Sequence, residues 1–391
     1  MAALNCNKRR RIISEQEDHD LTEPDWSGLQ PELVEFILSK LSIINMIRCQ
    51  AVCSAWCLVV KTISSSGFSP WLIVRDDYDA GSFCFFSTAE EDKIFKIKKH
   101  ESVGRRDRCI GSSNGWLVLW DDRWVPYLLN PFSQVRIQLP SFPWLQHAHV
   151  RQHRVSRYFL FRKVILLSNP SQDKNNHAVV VIYWNMHSRA TKLCFCKNGD
   201  REWTDIDGNL EVYSDIVCHN DMLYAIGKDC SIEAWDCRGP RPIKILSLKP
   251  LLESRQQTGM EKFIDGRYHK IKNKYYLVES SGKLLLVVRN TYYLPYRMLY
   301  FDVYELDFNE ERWVLVESIG DRVLFLGKNH SMSMSAAKSF PGCEGDSIHF
   351  TSDYRTNGHY EVGVFSLGRE TVKPYTVKVR RPPLWITPNM W

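Results

Sequence analysis

The chain has 391 residues, a formal net charge of +6, 44% hydrophobic residues and 25% charged residues. This length exceeds that of one ordinary domain, so it predicts two unequal domains or one large β domain. The composition is that of a folded protein, and the charge is too weak to favour a dedicated nucleic-acid binder. Aromatic residues make up 12% of the chain, which favours a strand-rich protein.

The longest apolar runs, such as residues 178–184 and 284–288, are far shorter than the roughly 20 residues of a membrane helix. Residues 1–20 lack the apolar core of a signal peptide. We therefore predict no membrane segment and a cytoplasmic and/or nuclear location. Residues 1–24 are predicted to be a disordered tail, in which the basic run 8–11 fits either a nuclear-import signal or a solvated tail.

The twelve cysteines are expected to be reduced thiols, because no export signal accompanies them. Their spacing does not fit a metal site: Cys194 and Cys196 are separated by one residue, Cys53 and Cys57 by three, and no CxxC pair occurs. The sequence predicts neither a metal nor a cofactor.

Helical patterning begins after Trp26. Leu33, Ile37 and Leu41 recur at a spacing of four, Pro31 suits a first helical turn, and Ser42 can cap a following helix. Short helices are predicted at residues 31–41, 42–47 and 51–61. Such short helices cannot bury all of this apolar surface among themselves, so the excess packs on the following domain or awaits a partner.

Beyond residue 67 the pattern becomes that of strands and turns, without a long amphipathic helix. Strands are predicted at residues 115–120, 179–184, 222–226, 284–288, 301–306 and 347–350. Three segments repeat a strand, a turn and a second strand: 183–204, 304–314 and 364–373. At roughly 40–50 residues per blade, this region predicts an all-β propeller of about seven blades, with a pair of β-sandwiches as the alternative.

Residues 26–57 contain, in order, Leu-x-Pro-x-Leu at 29–33, Ile-Leu-x-x-Leu at 37–41 and Val-Cys-x-x-Trp at 52–56. This ordered set resembles the F-box. The sequence departs from the family pattern at Asn45, where aspartate is common, and at Cys57, where a basic residue often follows the tryptophan. An ordinary three-helix cap on the β domain is the alternative.

The resemblance implies that this segment docks onto a Skp-type adaptor and, through it, a cullin. It also implies which residues form the adaptor interface or the core that supports it: Leu29, Pro31, Leu33, Ile37, Leu38, Leu41, Val52, Cys53 and Trp56.

The C-terminal region resembles the β-propeller of plant F-box proteins of the KIB type. The matching stretches are Gly-Ser-Ser-Asn-Gly-Trp at 111–116, Leu-Asn-Pro-Phe at 129–132, residues 313–321, Leu-Phe-Leu-Gly at 324–327 and the tail at 382–388. The combined resemblance implies an α+β multidomain chain, with a small three-helix F-box at 25–64 followed by an all-β propeller at 70–391. The implied function is that of a non-catalytic substrate-recognition subunit of a Skp–cullin–F-box ubiquitin ligase, in which the propeller binds an unidentified protein.

Parts of the sequence also fit other functions. Residues 111–115 fit GxSxG, the elbow of a serine hydrolase, but Ser113 precedes a predicted strand and not the helix that such an elbow requires. A tight turn between strands is favoured there. The basic loops at 105–108 and 379–381 offer nucleic-acid binding, and His147, His149 and His153 offer metal or anion binding. Solvated loops are favoured at both. An F-box protein that acts outside the ligase is a further alternative.

Overall fold

The computed structural model of the chain describes residues 25–65, 68–77, 81–88, 93–104, 106–142, 160–173, 175–185, 188–252, 262–264, 267–269, 271–292, 298–328, 330–339, 343–356, 358–377 and 379–388. The predicted tail at 1–24 lies outside these residues. The chain divides into two compact units, Met1–Thr62 and Ile63–Trp391. The first is helical and the second is built from β-sheets.

The helical unit contains a 3-10 helix (Trp26–Gly28) and the helices α1 (Pro31–Ser39), α2 (Ile43–Cys49) and α3 (Ser54–Ser65). Pro31 begins α1 and the Ser42 hydroxyl accepts the Asn45 backbone N–H at the start of α2, as predicted. The prediction that the third helix begins at Ala51 was wrong. The backbone N–H of Ala51 donates to the Arg48 carbonyl in a turn that follows α2, and α3 begins three residues later.

The second unit begins with three antiparallel sheets. The first contains β1 (Trp71–Asp77), β2 (Ser82–Ser87) and β3 (Ile94–Lys98). The second contains β4 (Arg108–Ser113), β5 (Trp116–Trp120), β6 (Pro126–Leu129) and β7 (Arg136–Gln138). The third contains β8 (Phe161–Leu166), β9 (Ala178–Asn185), β10 (Ala190–Lys197) and β11 (Thr204–Ile206).

Three further sheets follow. The fourth contains β12 (Tyr213–His219), β13 (Met222–Gly227), β14 (Ile232–Asp236) and β15 (Ile243–Leu248). Next come β16 (Leu251–Leu252) and a separate hairpin of β17 (Lys262–Ile264) and β18 (Arg267–His269). The fifth sheet joins β16 to β19 (Ile271–Ser280), β20 (Lys283–Tyr292), β21 (Met298–Asp307) and β22 (Arg312–Val316). The sixth contains β23 (Arg322–Leu326), β24 (Met332–Ser335), β25 (Ser347–Thr356), β26 (His359–Ser366) and β27 (Thr371–Pro374), with α4 (Ala336–Ser339) after β24.

The described part of the chain forms a propeller of six blades, so the prediction of about seven was wrong. The predicted number assumed short strands and a uniform repeat. Strands β19, β20, β21 and β25 each have ten residues. The strands of the fifth sheet come from residues Leu251 to Val316, and the β17–β18 hairpin lies within this stretch of sequence. The fifth and sixth sheets therefore use more residues than the repeat that was assumed.

All six predicted strands are confirmed, as β5, β9, β13, β20, β21 and β25. Two of the three predicted repeats are the hairpins β21–β22 and β26–β27. In the third, β10 lies between β9 and the strand that follows Trp203.

The hydrophobic cores lie between neighbouring sheets. Strands β4, β8, β12, β19 and β24 contact one another in sequence and are the inner strands of their sheets. One apolar cluster joins the second and third sheets around Trp116, and others join each later pair of neighbours. The propeller is thus a series of sheet-on-sheet interfaces, and the core of each interface is buried only when both of its sheets are in place.

The ring is closed by the C-terminal strand β28 (Leu384–Ile386), which pairs antiparallel with β1. Trp71 pairs with Ile386 and Ile73 with Leu384. Trp385 is 1% exposed and packs in the cluster between the sixth and first sheets. Its indole N–H donates to the Leu326 carbonyl at 3.3 Å. Closure gives the first sheet its fourth strand and removes an open edge.

We expect Trp385→Ala to lower the free energy of unfolding by about 3–5 kcal/mol, since it leaves a large cavity at the closing interface. Leu251→Ala, at a side chain that is largely exposed, should stay within about 0.5 kcal/mol of wild type. Denaturant unfolding of the full chain measures both values. Equal losses in the two variants would contradict the role of β28.

His349 predicts a pH dependence of stability at the same interface. It is buried beside Phe325 and Trp385, and burial lowers its pKa from 6.5 to about 3. Below about pH 6.5 this histidine therefore binds a proton in the unfolded chain but stays neutral in the folded chain. The free energy of unfolding thus falls as the pH is lowered. Between pH 7 and pH 5 this residue should account for a loss of about 2 kcal/mol.

The measurement is denaturant unfolding at pH 7 and pH 5. His349→Gln should reduce the difference between the two pH values by about that amount. An unchanged difference in the variant would contradict the assignment.

Candidate partner-binding surface

The helical unit has a small internal core. Val34 and Leu38 lie on one face of α1, and together with Met46 and Trp56 they are buried. The Trp56 indole N–H donates to the Trp26 carbonyl at 2.8 Å, which ties α3 to the 3-10 helix. Residues four apart on a helix share a face, so the spacing of Val34 and Leu38 explains why both point inward.

Other apolar side chains of the same helices face outward. Leu33 and Phe36, three residues apart on α1, are 53% and 63% exposed, and Leu58 on α3 is 65% exposed. Val52, in the turn before α3, and Trp26 are also exposed. We call Trp26, Leu33, Phe36, Val52 and Leu58 the exposed apolar set. Five large apolar side chains in so small a unit are typical of a surface that a partner covers.

The nine residues that the sequence assigned to this surface fall into three groups. Pro31, Leu33 and Val52 are exposed, and Leu29, Ile37, Leu41 and Cys53 are half-buried. Leu38 and Trp56 are buried. The last two can act only through the core that holds the helices together.

Sequence reasoning missed Phe36, Leu58 and Trp26 as outward apolar side chains. The signal was present for Phe36, because it follows Leu33 by three residues and shares its helix face. The same face carries a positive charge: the Lys40 ammonium lies 5.2 Å from the centre of the Phe36 ring. At Asn45, the side-chain carbonyl accepts a hydrogen bond from Arg48 at 3.2 Å, so this neutral residue is engaged within α2.

The GxSxG segment is a tight hairpin turn between β4 and β5, as predicted. Asn114 and Gly115 have φ values of 50° and 80°, the left-handed conformation that such turns require. Ser113 is buried, and its hydroxyl oxygen accepts the Leu166 backbone N–H at 3.0 Å. The segment runs from strand to strand, so it lacks the strand-to-helix geometry of a nucleophile elbow.

The basic loops are tied to the propeller where the structure describes them. The Asp107 carboxylate accepts hydrogen bonds from the Tyr127 hydroxyl and the Gly104 backbone N–H at 2.6 and 2.9 Å. Val379 is buried and pairs with Tyr360. Arg105 and the predicted cluster of His147, His149 and His153 lie outside the described residues. Within the residues described, no group of three or more His, Cys, Asp or Glu side chains is arranged to hold a metal ion.

A buried ion pair joins inner strands of the propeller. The Lys163 ammonium on β8 contacts the Asp215 carboxylate on β12, and it donates to the Ser331 hydroxyl, just before β24, at 3.1 Å. The second oxygen of Asp215 accepts the Leu277 backbone N–H at 2.8 Å. Burial raises the pKa of Asp215, and the neighbouring Lys163 opposes that shift. These contacts connect the third, fourth, fifth and sixth sheets near the centre of the ring.

The longest helix in the described part of the chain, α3, has twelve residues. No helix there is long and apolar enough to span a bilayer.

Comparison with known families agrees with this arrangement. The model described as KIB1-4 beta-propeller matches residues 85–366, and the F-box domain model matches residues 26–65. The chain belongs to the KIB1-4 beta-propeller family. Both resemblances inferred from the sequence are thereby confirmed, and the residues matched by the two models fall on the β-sheets and on the three helices respectively.

Two plant proteins illustrate the similarity to known relatives. The F-box/kelch-repeat protein KIB1 of Arabidopsis thaliana is 24% identical over 382 residues, covering 93% of this chain and 89% of its own. F-box only protein 7 of the same plant is 25% identical over 383 residues, covering 92% of this chain and 90% of its own. This member of the KIB1-4 beta-propeller family is therefore similar to F-box proteins over nearly its whole length.

The division of the F-box side chains into core and surface predicts a difference in stability. Leu38→Ala should lower the free energy of unfolding of the helical unit by about 2–5 kcal/mol, because Leu38 is fully buried. Leu33→Ala, at an exposed side chain on the same helix, should change it by less than about 0.5 kcal/mol. Thermal or denaturant unfolding followed by circular dichroism at 222 nm measures the helical signal. Comparable losses in the two variants would show that the assignment of Leu33 to the surface is wrong.

Proposed function

We propose that the chain is the substrate-recognition subunit of a Skp–cullin–F-box ubiquitin ligase. The observation that carries the proposal is the exposed apolar set on an F-box whose own core is already complete. Side chains such as Leu33 and Phe36 gain stability only when a partner removes them from water, by about 1.5–3 kcal/mol each when fully buried. A Skp-type adaptor, and through it a cullin, is the partner that the F-box match favours.

Each sequence-assigned residue has a role in this proposal. Pro31, Leu33 and Val52 contact the adaptor, and Phe36 and Leu58 join them. The half-buried residues Leu29, Ile37, Leu41 and Cys53 border the contact, and Leu38 and Trp56 hold the helices in the geometry that the adaptor binds.

The propeller binds the target protein. The chain itself performs no chemistry in this proposal: it raises the effective concentration of target lysines near a ubiquitin-loaded enzyme carried elsewhere in the complex. The complex acts in the cytoplasm, the nucleus or both. The closed ring supports this role, since it offers a rigid surface on which loops and outer strands hold a partner.

The test is the affinity of the purified full chain for a Skp-type adaptor, measured by isothermal titration calorimetry. Leu33→Asp/Phe36→Asp should weaken binding by at least about a hundredfold, because two apolar contacts are lost and two charges must be desolvated. The matched control is Phe308→Asp/Val372→Asp, which changes two exposed apolar residues of the propeller and should bind like wild type.

Equal affinity of the wild type and the Leu33→Asp/Phe36→Asp variant would refute docking through this face. Circular dichroism of both variants establishes that the helices are intact. Absence of binding by the wild-type chain would refute the ligase role itself.

A further inference from the structure

The blades differ in what their outer strands contribute to the interfaces between them. In four interfaces, a strand at or next to the outer edge of a sheet supplies an apolar side chain to the shared cluster: Ile137 of β7, Ile206 of β11, Leu246 of β15 and Val316 of β22. The outer strand of the sixth sheet is β27, and none of its residues belongs to the cluster between the sixth and first sheets. This interface is therefore built differently at its outer end.

A row of three hydroxyl groups crosses the outer part of the sixth sheet. Ser347 of β25 pairs with Ser366 of β26, and Ser366 pairs with Thr371 of β27. Residues directly opposite each other on antiparallel strands place their side chains on the same face of the sheet. Val362 lies four residues before Ser366 on β26 and belongs to the cluster between the sixth and first sheets. Because side chains two or four residues apart on a strand share a face, the hydroxyl row also faces the first sheet.

The neighbouring row on the same face carries a positive charge. His349 of β25 pairs with Val364 of β26, which pairs with Lys373 of β27. His349 is buried and its ring hydrogen-bonds to the Tyr375 hydroxyl, whereas Lys373 is exposed. Among the residues that the structure describes, no carboxylate forms an ion pair with Lys373. An ammonium group without a counter-ion from this part of the chain thus lies beside the hydroxyl row.

Both rows line a pocket with a volume of about 440 Å³, which is within the range of about 300–1,000 Å³ of small-ligand sites. The first sheet contributes Thr88, the residue that follows β2, to the lining. The Thr88 hydroxyl oxygen is buried and has no hydrogen-bond partner within the described residues. A buried hydroxyl without a partner is unfavourable, so a bound group that hydrogen-bonds to Thr88 would stabilise the folded chain.

The charges and donors of this pocket favour an oxyanion. Its described lining contains one carboxylate, Glu344, which is paired with Arg369 at 2.9 Å, so the charge of Lys373 is left in excess. Hydroxyl and ammonium groups donate hydrogen bonds to acceptor oxygens. A phosphate monoester offers three such oxygens and a charge of about −1.5 to −2 at pH 7, whereas a carboxylate offers two oxygens and a single charge. The phosphate therefore matches the several donors of the pocket better.

A role in edge protection does not account for the whole arrangement. A lysine on an outer strand discourages the pairing of that edge with another chain, which could explain Lys373 taken alone. It does not explain why three hydroxyl groups face the neighbouring blade where other interfaces have apolar side chains. Departures from the apolar pattern of a packed interface are expected where a protein binds a ligand.

We propose that the pocket between the sixth and first sheets binds a phosphate monoester. The Ser366 and Thr371 hydroxyls and the Lys373 ammonium donate to the phosphate oxygens from one wall, and the Thr88 hydroxyl donates from the other. Ser347 is already engaged, since its hydroxyl donates to the Glu344 carbonyl at 2.7 Å. Small molecules and phosphorylated protein side chains both carry this group, and the experiment below distinguishes them. The proposal concerns the propeller and does not depend on adaptor binding by the F-box.

The probes are glucose 6-phosphate and the peptide Gly-Thr-Gly-Ser-Gly-Thr-Gly with phosphoserine at its centre. Isothermal titration calorimetry with the full chain should show saturable binding of at least one of them, and this binding should weaken as salt is added. Glucose and the unphosphorylated peptide are the matched controls and should not bind. Binding of glucose 6-phosphate alone would identify a small molecule as the ligand, and binding of the phosphopeptide would identify a phosphorylated side chain.

Two variants test the charge and the hydroxyl row separately. Lys373→Gln should weaken binding of the phosphorylated probe by at least about fivefold, because a charge-assisted hydrogen bond is lost. Ser366→Ala/Thr371→Val removes two donors with little change in side-chain size and should weaken it by at least about fivefold as well. Lys192→Gln, at an exposed lysine of β10 in the third sheet, is the matched control and should bind like wild type.

Equal binding of the phosphorylated probe by wild type, Lys373→Gln and Ser366→Ala/Thr371→Val would overturn the proposal, as would failure of wild type to bind either phosphorylated probe. Binding of glucose or of the unphosphorylated peptide with the affinity of its phosphorylated form would also overturn it, since the phosphate would then contribute nothing. Circular dichroism of each variant establishes that the propeller is folded, so that a loss of binding reports on the pocket.

Discussion

The propeller depends on the pairing of β28 with β1, which joins the two ends of the β region. Every other sheet takes its strands from one continuous stretch of chain, but the first takes its innermost strand from the C-terminus. Trp385 joins this strand to two further sheets: its backbone carbonyl accepts the Ser112 hydroxyl of the second sheet, and its indole N–H donates to the Leu326 carbonyl of the sixth. Because each core lies between two sheets, an open ring would expose the apolar faces of two sheets and not merely one strand edge.

Closure determines where the protein can bind other molecules. The faces of the sheets are used for packing, and the inner strands are joined by the buried Lys163–Asp215 pair. Removing one member of such a pair leaves a buried charge without compensation. The paired side chains at the centre of the ring therefore stabilise the fold. The exposed apolar side chains that a partner could cover lie on α1 and α3 of the helical unit. They belong to a different unit of the chain from the propeller.

The sequence predicted local structure well, because local structure follows from local chemistry. Pro31 and Ser42 marked helix starts through properties of their own residues, and the apolar runs of β9 and β20 could hardly be other than buried strands. The number of blades and the pairing of strands distant in sequence could not be predicted from it. The blade count failed because blade length varies with ten-residue strands and an inserted hairpin. The three-residue strand β28 has no periodicity to detect, and its partner lies at the other end of the propeller. Whether β15 is free depends on β16 covering β22 and not β15, which no spacing rule reveals.

The central claim is that the F-box helices, and not the propeller, hold the adaptor. Hydrogen–deuterium exchange of the full chain with and without a Skp-type adaptor measures this directly. We predict slower exchange within α1, α2 and α3 on addition of the adaptor, and unchanged exchange in the strands of the six sheets. Protection confined to propeller strands, or no protection anywhere at saturating adaptor, would contradict it.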